Sequence, residues 1–346
     1  MRDHMKKEKL LLITDAWHPQ VNGVVTYYSN LIPRLEEKGI SVTVVHPGLF
    51  WSIPTPTYPD IRLSLFPRRK ISRIFEEVQP TFVHIATEGP LGWSARSVCL
   101  RKQIPFTTMH SSNFDVYIAM RAPVLSSVMQ NVVRSRLQKF HDSSACVMVA
   151  TRALQKKMEG WGIHRVGISP MAVDMSLFCS LEKKANDNRE PIFAYIGRLA
   201  PEKNVEEFLR SVLPGKKMAI GDGPSRMGFE RRFPDVTFVG MKRGGELVRV
   251  LSDVTVSVFP SRTDTFGLVI LESLACGIPV AAHPVMGPQD IISDGVDGVL
   301  REDLREAALA CLSLDRSACR KKAETYSWEN ARQAFIQNLV PVLTQK

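Results

Sequence analysis

Long apolar runs, paired cysteines and metal-ligand motifs are all missing from this 346-residue sequence. No stretch of about 18 apolar residues occurs, so no membrane-spanning helix is expected. The apolar run after the basic start MRDHMKKEKLLLITD ends after four residues, at Thr14, too short for a signal-peptide core. The six cysteines, at 99, 146, 179, 276, 311 and 319, include no C-x-x-C pair. A chain this long needs no disulfide staples, so reduced core cysteines of a cytosolic protein are expected. No Asp-x-Asp occurs, and no His/Cys cluster has ligand spacing, so no metal site is expected. Zinc fingers, RNP motifs and a basic region with heptads are absent too, which argues against a nucleic-acid-binding protein. There is no short-period repeat and no low-complexity segment.

What is present is a soluble, basic, two-part chain. An apolar fraction of 44% with 23% charged residues excludes a disordered chain and a polytopic membrane protein. The formal charge is +10, which suits nucleic acid, an anionic membrane surface or phosphate-bearing substrates. The excess is uneven: residues 1–180 hold 22 Lys+Arg against 13 Asp+Glu, and residues 181–346 hold 23 against 22. Two domains with different partners are expected.

Short apolar runs alternate with helical patterns, the mark of β-α-β units on parallel sheets. In the first half they are Leu10–Ile13, Val42–Val45, Phe82–Ile85, Phe106–Met109 and Cys146–Ala150; in the second, Ile192–Ile196, Met218–Ile220, Val236–Val239, Val254–Phe259 and Val280–Ala282. The charged, apolar-poor stretch Ser180–Pro191 reads as a linker. The fold class is therefore α/β: two doubly wound, Rossmann-like domains, with ligands expected outside the carboxyl ends of the strands. Val124–Phe140 carries a helical apolar stripe, with Arg134, Arg136 and Lys139 near its end; it reads as a surface helix or as one lying on anionic lipid. Arg68, Arg69, Lys70 and Arg73 form a second basic cluster after Phe66 and Pro67, read as a solvated loop or a lipid contact.

Five loops carry chemistry. Asn22-Gly23 follows the first strand and precedes a helix, where a glycine lets backbone N–H groups approach a phosphate; it also reads as a plain turn. The strand 192–196 runs into G-R-L-A-P-E-K-N, which places Arg198 and Lys203 to grip a diphosphate. The strand 218–220 leads into Gly221-Asp222-Gly223-Pro224, whose backbone is open to a flat ligand. The segment P-S-R-T-D-T-F-G-L-V-I-L-E places Asp264 in a loop and Glu272 two turns into a helix running from about Phe266 to Cys276, with anion-binding N–H groups near Phe266, Gly267 and Leu268. His110 closes the strand 106–109 and is followed by Ser111, Ser112 and Asn113, a position that favours a functional imidazole.

Together these residues resemble the retaining glycosyltransferases of family 4, the large glycogen-synthase-like group with the GT-B fold. The resemblance covers nearly the whole chain: N-G-V, G-R-x-x-x-x-K, G-D-G-P, P-S-R-T-D-T-F-G-x-x-x-x-E, D-G-x-x-G at Asp294–Gly298 and Y-S-W-E at Tyr326–Glu329. With H-I-A-T-E-G-P-L-G-W-S-A-R it is most similar to the bacterial branch that makes glycosyldiacylglycerols and related glycolipids.

The resemblance implies two domains facing a cleft that closes around the donor. The acceptor domain would span 1–175 and be joined by the last helix, 328–346; the nucleotide-sugar domain would span 176–327. Gly23 would lie under the donor phosphates, and His110 would contact the donor sugar. Arg198 and Lys203 would stabilise the leaving diphosphate. Asp264, with the N–H groups of Phe266 and Gly267, would hold sugar hydroxyls. Glu272 would bind the ribose, and Gly221, Asp222 and Gly223 would lie near the base. Glu88 would reach the acceptor. Two departures stand out: Asp264 replaces the family's usual Glu, and Met171-Ala172-Val173-Asp174 replaces a G-V-D motif whose glycine tolerates positive φ.

The activity implied is hexosyl transfer with retention from a nucleotide diphosphate sugar, with no cofactor and no metal. Two donors fit, a UDP-hexose such as UDP-glucose or UDP-glucuronate, and GDP-mannose. A lipid acceptor such as diacylglycerol and an anionic membrane surface are the expected partners, without nucleic acid, for a cytoplasmic protein peripheral on the inner membrane face. The alternatives are a soluble saccharide acceptor and a nucleotide-sugar epimerase.

Overall fold

The computed structural model describes residues 8–20, 22–55, 62–111, 126–179 and 190–342. The chain divides into two units. Among the described residues, those up to Pro170 together with those from Glu329 onward form the first, and Met171–Trp328 form the second. The boundaries thus fall a few residues before the expected 175 and one residue after the expected start of the returning helix. The linker proposed at 180–191 lies almost wholly outside the described residues.

The first unit has strands β1 (Lys9–Ile13), β2 (Ser41–Val45), β3 (Ser52–Pro54), β4 (Arg62–Ser64), β5 (Phe82–Ile85), β6 (Thr107–His110), β7 (Cys146–Val149) and β8 (Val166–Ile168). Its helices are α1 (Gly23–Glu36), α2 (Arg68–Val78), α3 (Pro90–Arg101), α4 (Ser126–His141) and α5 (Arg152–Gly160). The main sheet is parallel, in the order β2-β1-β5-β6-β7-β8; β3 and β4 form a separate antiparallel hairpin. β1 is apolar throughout its buried length because both faces are covered: Leu10 to Ile13 are at most 1% exposed. Leu11, Ile13, Val83, Ile85, Ile71, Phe75, Phe106 and Phe140 share one core. The order reverses between β1 and β5, so the loops after these strands splay apart there and leave room for side chains.

The second unit has β9 (Ile192–Ile196), β10 (Lys216–Ile220), β11 (Val236–Gly240), β12 (Val256–Phe259), β13 (Val280–Ala282) and β14 (Gly298–Leu300). Its helices are α6 (Val205–Arg210), α7 (Arg226–Arg232), α8 (Gly244–Leu251), α9 (Leu268–Ala275), α10 (Pro288–Ile291), α11 (Leu304–Ala310) and α12 (Arg316–Glu324). The sheet is parallel, in the order β11-β10-β9-β12-β13-β14, with its switch point between β9 and β12. Phe193, Tyr195, Val205, Phe208, Val256 and Val258 anchor its core.

The last helix, α13 (Trp328–Asn338), returns to the first unit. Phe335 packs edge-on against Tyr28 and His84. Asn338 donates to the carbonyl of Ile168, and Val342 N–H to that of Thr81. The helix stops eight residues short of the expected 346, and 343–346 lie outside the described residues.

Two expectations change, and that of reduced cysteines holds. Arg68, Arg69, Lys70 and Arg73 lie on a helix rather than in a loop, because Ile71 and Phe75 give it a buried face. Ala172 keeps an ordinary negative φ, so replacing the family glycine there brings no strain. All six cysteines are free thiols.

Candidate functional site

In the second unit the loops after β9 and β10 are laced together. Gly197 N–H donates to Ile220 O, and Leu199 N–H to Asp222 O. A β-carbon on Gly221 would sit 1.8 Å from the carbonyl oxygen of Gly197, and one on Gly223 would sit 2.4 Å from that of Leu199. Both have positive φ, so the G-D-G sequence is what lets the two loops touch. The side chain of Asp222 is used locally: it accepts from Gly223 N–H and from Arg226.

Tyr195 buries its ring and donates its hydroxyl to the carbonyl of Arg198, fixing the backbone that carries the guanidinium. Lys203 ends a short 3-10 turn, Pro201–Lys203, closed by Asn204 in the left-handed region at φ 52, a conformation asparagine tolerates. Asn204 then donates to the carbonyl of Pro260 at 3.2 Å, and Thr263 Oγ1 donates to that of Glu202 at 3.2 Å. These bonds tie the loop after β9 to the loop after β12.

The result is an ion pair between Lys203 Nζ and Asp264 Oδ1. The other carboxylate oxygen, Oδ2, is buried and has no hydrogen-bond partner. A buried acceptor left open costs free energy unless a ligand fills it. Gly287 presses against the same loop: a β-carbon there would lie 2.8 Å from Asp264 O and 2.9 Å from Phe266 O.

Helix α9 begins at Leu268, later than the expected Phe266, because Gly267 takes φ 99 as its N-cap. Phe266 therefore sits in the loop, packed edge-on against Tyr326. Glu272 lies one turn into the helix, not two. Burial raises its carboxyl to about 7.

In the first unit Gly23 opens α1 with ordinary helical geometry, and Asn22 Oδ1 caps the helix by accepting from Val25 N–H. Asp15, which the motifs did not single out, accepts from Leu91 N–H and Gly92 N–H and from the Thr87 hydroxyl. A β-carbon on Gly89 would lie 2.4 Å from its carboxylate carbon, so the glycine of T-E-G-P-L-G admits Asp15. This loop presents Glu88.

The Glu88 side chain is 6% exposed, and one of its oxygens is shared by two imidazoles, His110 Nδ1 at 2.9 Å and His141 Nε2 at 3.1 Å. Burial pushes its carboxyl up, but the hydrogen bonds and charges of His110 and His141 outweigh it and bring it to about 2. An ionised carboxylate only accepts, so both facing ring nitrogens donate. Burial holds the His141 pKa low, and its Nδ1 pairs with the Thr108 hydroxyl at 2.9 Å. His110 Nε2 is left buried and without a partner. The carboxylate and both imidazoles lie within 4.8 Å of one another, a set that could hold a metal ion; sequence spacing gave no sign of it, because 53 residues separate Glu88 from His141.

Arg198, Lys203, Asp264, Phe266, Gly267, Leu268, Glu272 and the Gly221–Gly223 loop thus belong to the second unit, and Gly23, Glu88 and His110 to the first.

Comparison with known proteins agrees across both units. Residues 21–177 match the family model "Glycosyltransferase Family 4", and residues 190–315 match "Glycosyl transferases group 1". A GDP-mannose-dependent alpha-mannosyltransferase of Mycobacterium tuberculosis is 24% identical over 84% of this chain and 83% of its own length. The sulfoquinovosyl transferase SQD2 of Arabidopsis thaliana is 27% identical over 90% of this chain and 69% of its own. Among solved structures, sucrose-phosphate synthase from Thermosynechococcus elongatus superposes with a TM-score of 0.73 at 20% identity, covering 95% of this chain and 98% of that one. The chain belongs to the family 4 glycosyltransferases, enzymes of the GT-B fold that use nucleotide sugars.

Proposed function

We propose that the protein transfers a hexosyl group, with retention and without a metal, from a nucleotide diphosphate sugar to a lipid acceptor such as diacylglycerol. The observation that carries the donor half is the open, buried Oδ2 of Asp264 beside Lys203, at the switch point of a doubly wound sheet. Sugar hydroxyls supply the donors that this oxygen lacks, joined by the N–H groups of Phe266 and Gly267. Arg198 grips the diphosphate in bidentate fashion and Lys203 as a point charge. Glu272 takes the ribose hydroxyls, and the Gly221–Gly223 loop flanks the base. Gly23 is assigned the phosphate contact on the first unit.

The chemical step breaks the bond between the anomeric carbon and the diphosphate oxygen. Negative charge grows on the leaving group and positive charge on the sugar; the acceptor oxygen bonds to the anomeric carbon from the face the diphosphate leaves, and its proton passes to the departing diphosphate oxygen. Fixed cations aimed at the departing charge lower this barrier. His110 is read as the sugar contact: Nδ1 faces Glu88, and the unpartnered Nε2 meets a sugar hydroxyl. Glu88 is then a positioning residue for His110, in place of the acceptor contact expected for it.

A UDP-hexose and GDP-mannose both fit the site, and the mannosyltransferase relatives favour GDP-mannose as the second donor to test. The basic first half suits work at the anionic inner face of a membrane.

The test is turnover with a panel of nucleotide sugars, offering diacylglycerol against soluble saccharides, together with a donor-only incubation. A glycolipid product supports the reading. Product from soluble acceptors alone removes the lipid, and an epimer formed from donor alone removes the transferase. Arg198→Ala and Lys203→Ala are each expected to cost about 100–1000-fold in kcat, or about 3–4 kcal/mol; near wild-type turnover in a folded variant defeats the donor-site assignment.

A further inference from the structure

One edge of the first unit exposes large apolar side chains beside a row of cations. Phe66 is 94% exposed, Trp51 87% and Ile53 49%, with Leu65 and Leu49 also open to solvent. They form one patch because β3 and β4 pair in register, Ile53 opposite Leu63, and Leu65 N–H donates to the carbonyl of Trp51 at 2.8 Å. Lys70 Nζ donates to the carbonyl of Leu49 at 2.7 Å, which joins the start of α2 to the same edge. Phe66 is held outward by a left-handed backbone, φ 47, uncommon for a bulky residue.

Arg62, Arg68, Arg69, Lys70 and Arg73 are exposed around this patch, while the acidic residues of α2, Glu76 and Glu77, sit at its far end. Inward-facing Ile71 and Phe75 fix which side of α2 faces water. Helix α4, the other basic candidate, is different. Its Leu137 and Phe140 are buried, and Arg134 stacks on Trp161 and Arg136 on Trp93; Val132 and Met129 are exposed on it, but among its described residues they have no exposed aromatic side chain beside them to match Trp51 and Phe66.

We propose that the Trp51–Phe66 edge docks on an anionic lipid bilayer. Trp51, Phe66, Ile53 and Leu65 enter the headgroup boundary, where amphipathic rings settle. The neighbouring guanidinium and ammonium groups pair with headgroup phosphates. Charge complementarity selects this occupant: five cations around an aromatic tip suit an anionic surface and repel a second copy of themselves. The inference deepens the lipid-acceptor reading and rests on it for its purpose, but vesicle binding requires no turnover.

The experiment is flotation of the whole chain with vesicles of equal parts phosphatidylglycerol and phosphatidylcholine, against phosphatidylcholine alone. Binding is expected only to the anionic vesicles, and to weaken in high salt. Trp51→Ser with Phe66→Ser lowers partitioning roughly tenfold or more, and Arg68→Ala with Arg69→Ala roughly 30-fold. Both leave the melting temperature unchanged, since these side chains lie outside the core. Brominated acyl chains quench tryptophan emission in the wild type and much less in Trp51→Phe. The proposal is overturned if the wild type ignores anionic vesicles, if the variants bind as it does, or if the substitutions abolish a dimer instead. A failure of the lipid-acceptor reading is seen separately, as transfer to soluble acceptors only by a protein that still floats.

Discussion

Glu88 and Glu272 are two shielded carboxylates, one in each unit, and their protons behave in opposite ways. Burial raises the pKa of both. Around Glu88 the chain supplies two N–H donors, and the carboxyl falls to about 2. Around Glu272 burial acts alone, and the carboxyl rises to about 7. The first unit has completed its own polar cluster, leaving only His110 Nε2 unpaired. The second holds Asp264 Oδ2, a buried acceptor without a partner, and Glu272, whose carboxyl is shifted by burial alone; the partners of both are expected to arrive with the substrate.

The largest expected effect that separates the two is structural. Glu88→Ala strips the shared acceptor from two buried imidazoles and should cost about 3 kcal/mol of stability near neutral pH. Urea unfolding checks this; a loss under about 1 kcal/mol makes the cluster incidental. The Glu88 pKa is depressed, so its contribution is present above the unfolded value of 4.5 and is lost as pH falls toward 2.

The second effect has the opposite sign. The Glu272 pKa is raised, so the folded state holds a proton that the unfolded chain releases between about pH 4.5 and 7. Stability therefore declines as pH rises through that window, by an amount on the order of 3 kcal/mol. Glu272→Gln is expected to melt higher than wild type at pH 8, with the gap closing toward pH 4.5. It should also weaken the donor KM roughly tenfold through the lost charged acceptor, and the wild-type donor KM should rise as pH drops below 7. A variant neither more stable nor weaker for donor dissolves the contrast.

The smallest effect is none at all: turnover in excess EDTA should equal that without it. A complete, zinc- or magnesium-rescuable loss would recast Glu88, His110 and His141 as a metal site and erase the difference between a finished cluster and an open one.

The strands and site loops were readable because chemistry and backbone geometry there leave local signals. β9 ends at a glycine that needs a positive φ, and Gly221 and Gly223 are fixed by the carbonyls they meet. Five of the first unit's strands showed as apolar runs because a parallel sheet is covered on both faces. β8 and β14 are three residues long like β13, but each includes a glycine, which leaves only two apolar side chains to mark the strand. The hairpin of β3 and β4 was missed because its apolar side chains point to water, so no alternation marks a buried face. Asp15 and His141 were missed because their partners are remote in sequence, Asp15 pairing with Leu91 and His141 with Glu88. The late start of α9 follows from Gly267, whose left-handed φ no periodicity encodes.

The most direct test of the account is transfer from a panel of nucleotide sugars by wild type and Lys203→Ala, with the product's anomeric configuration read by NMR. The account predicts an α-linked product from an α-configured donor, with the variant about 100–1000-fold slower and still folded. An inverted product, or a variant that turns over like wild type, would contradict it.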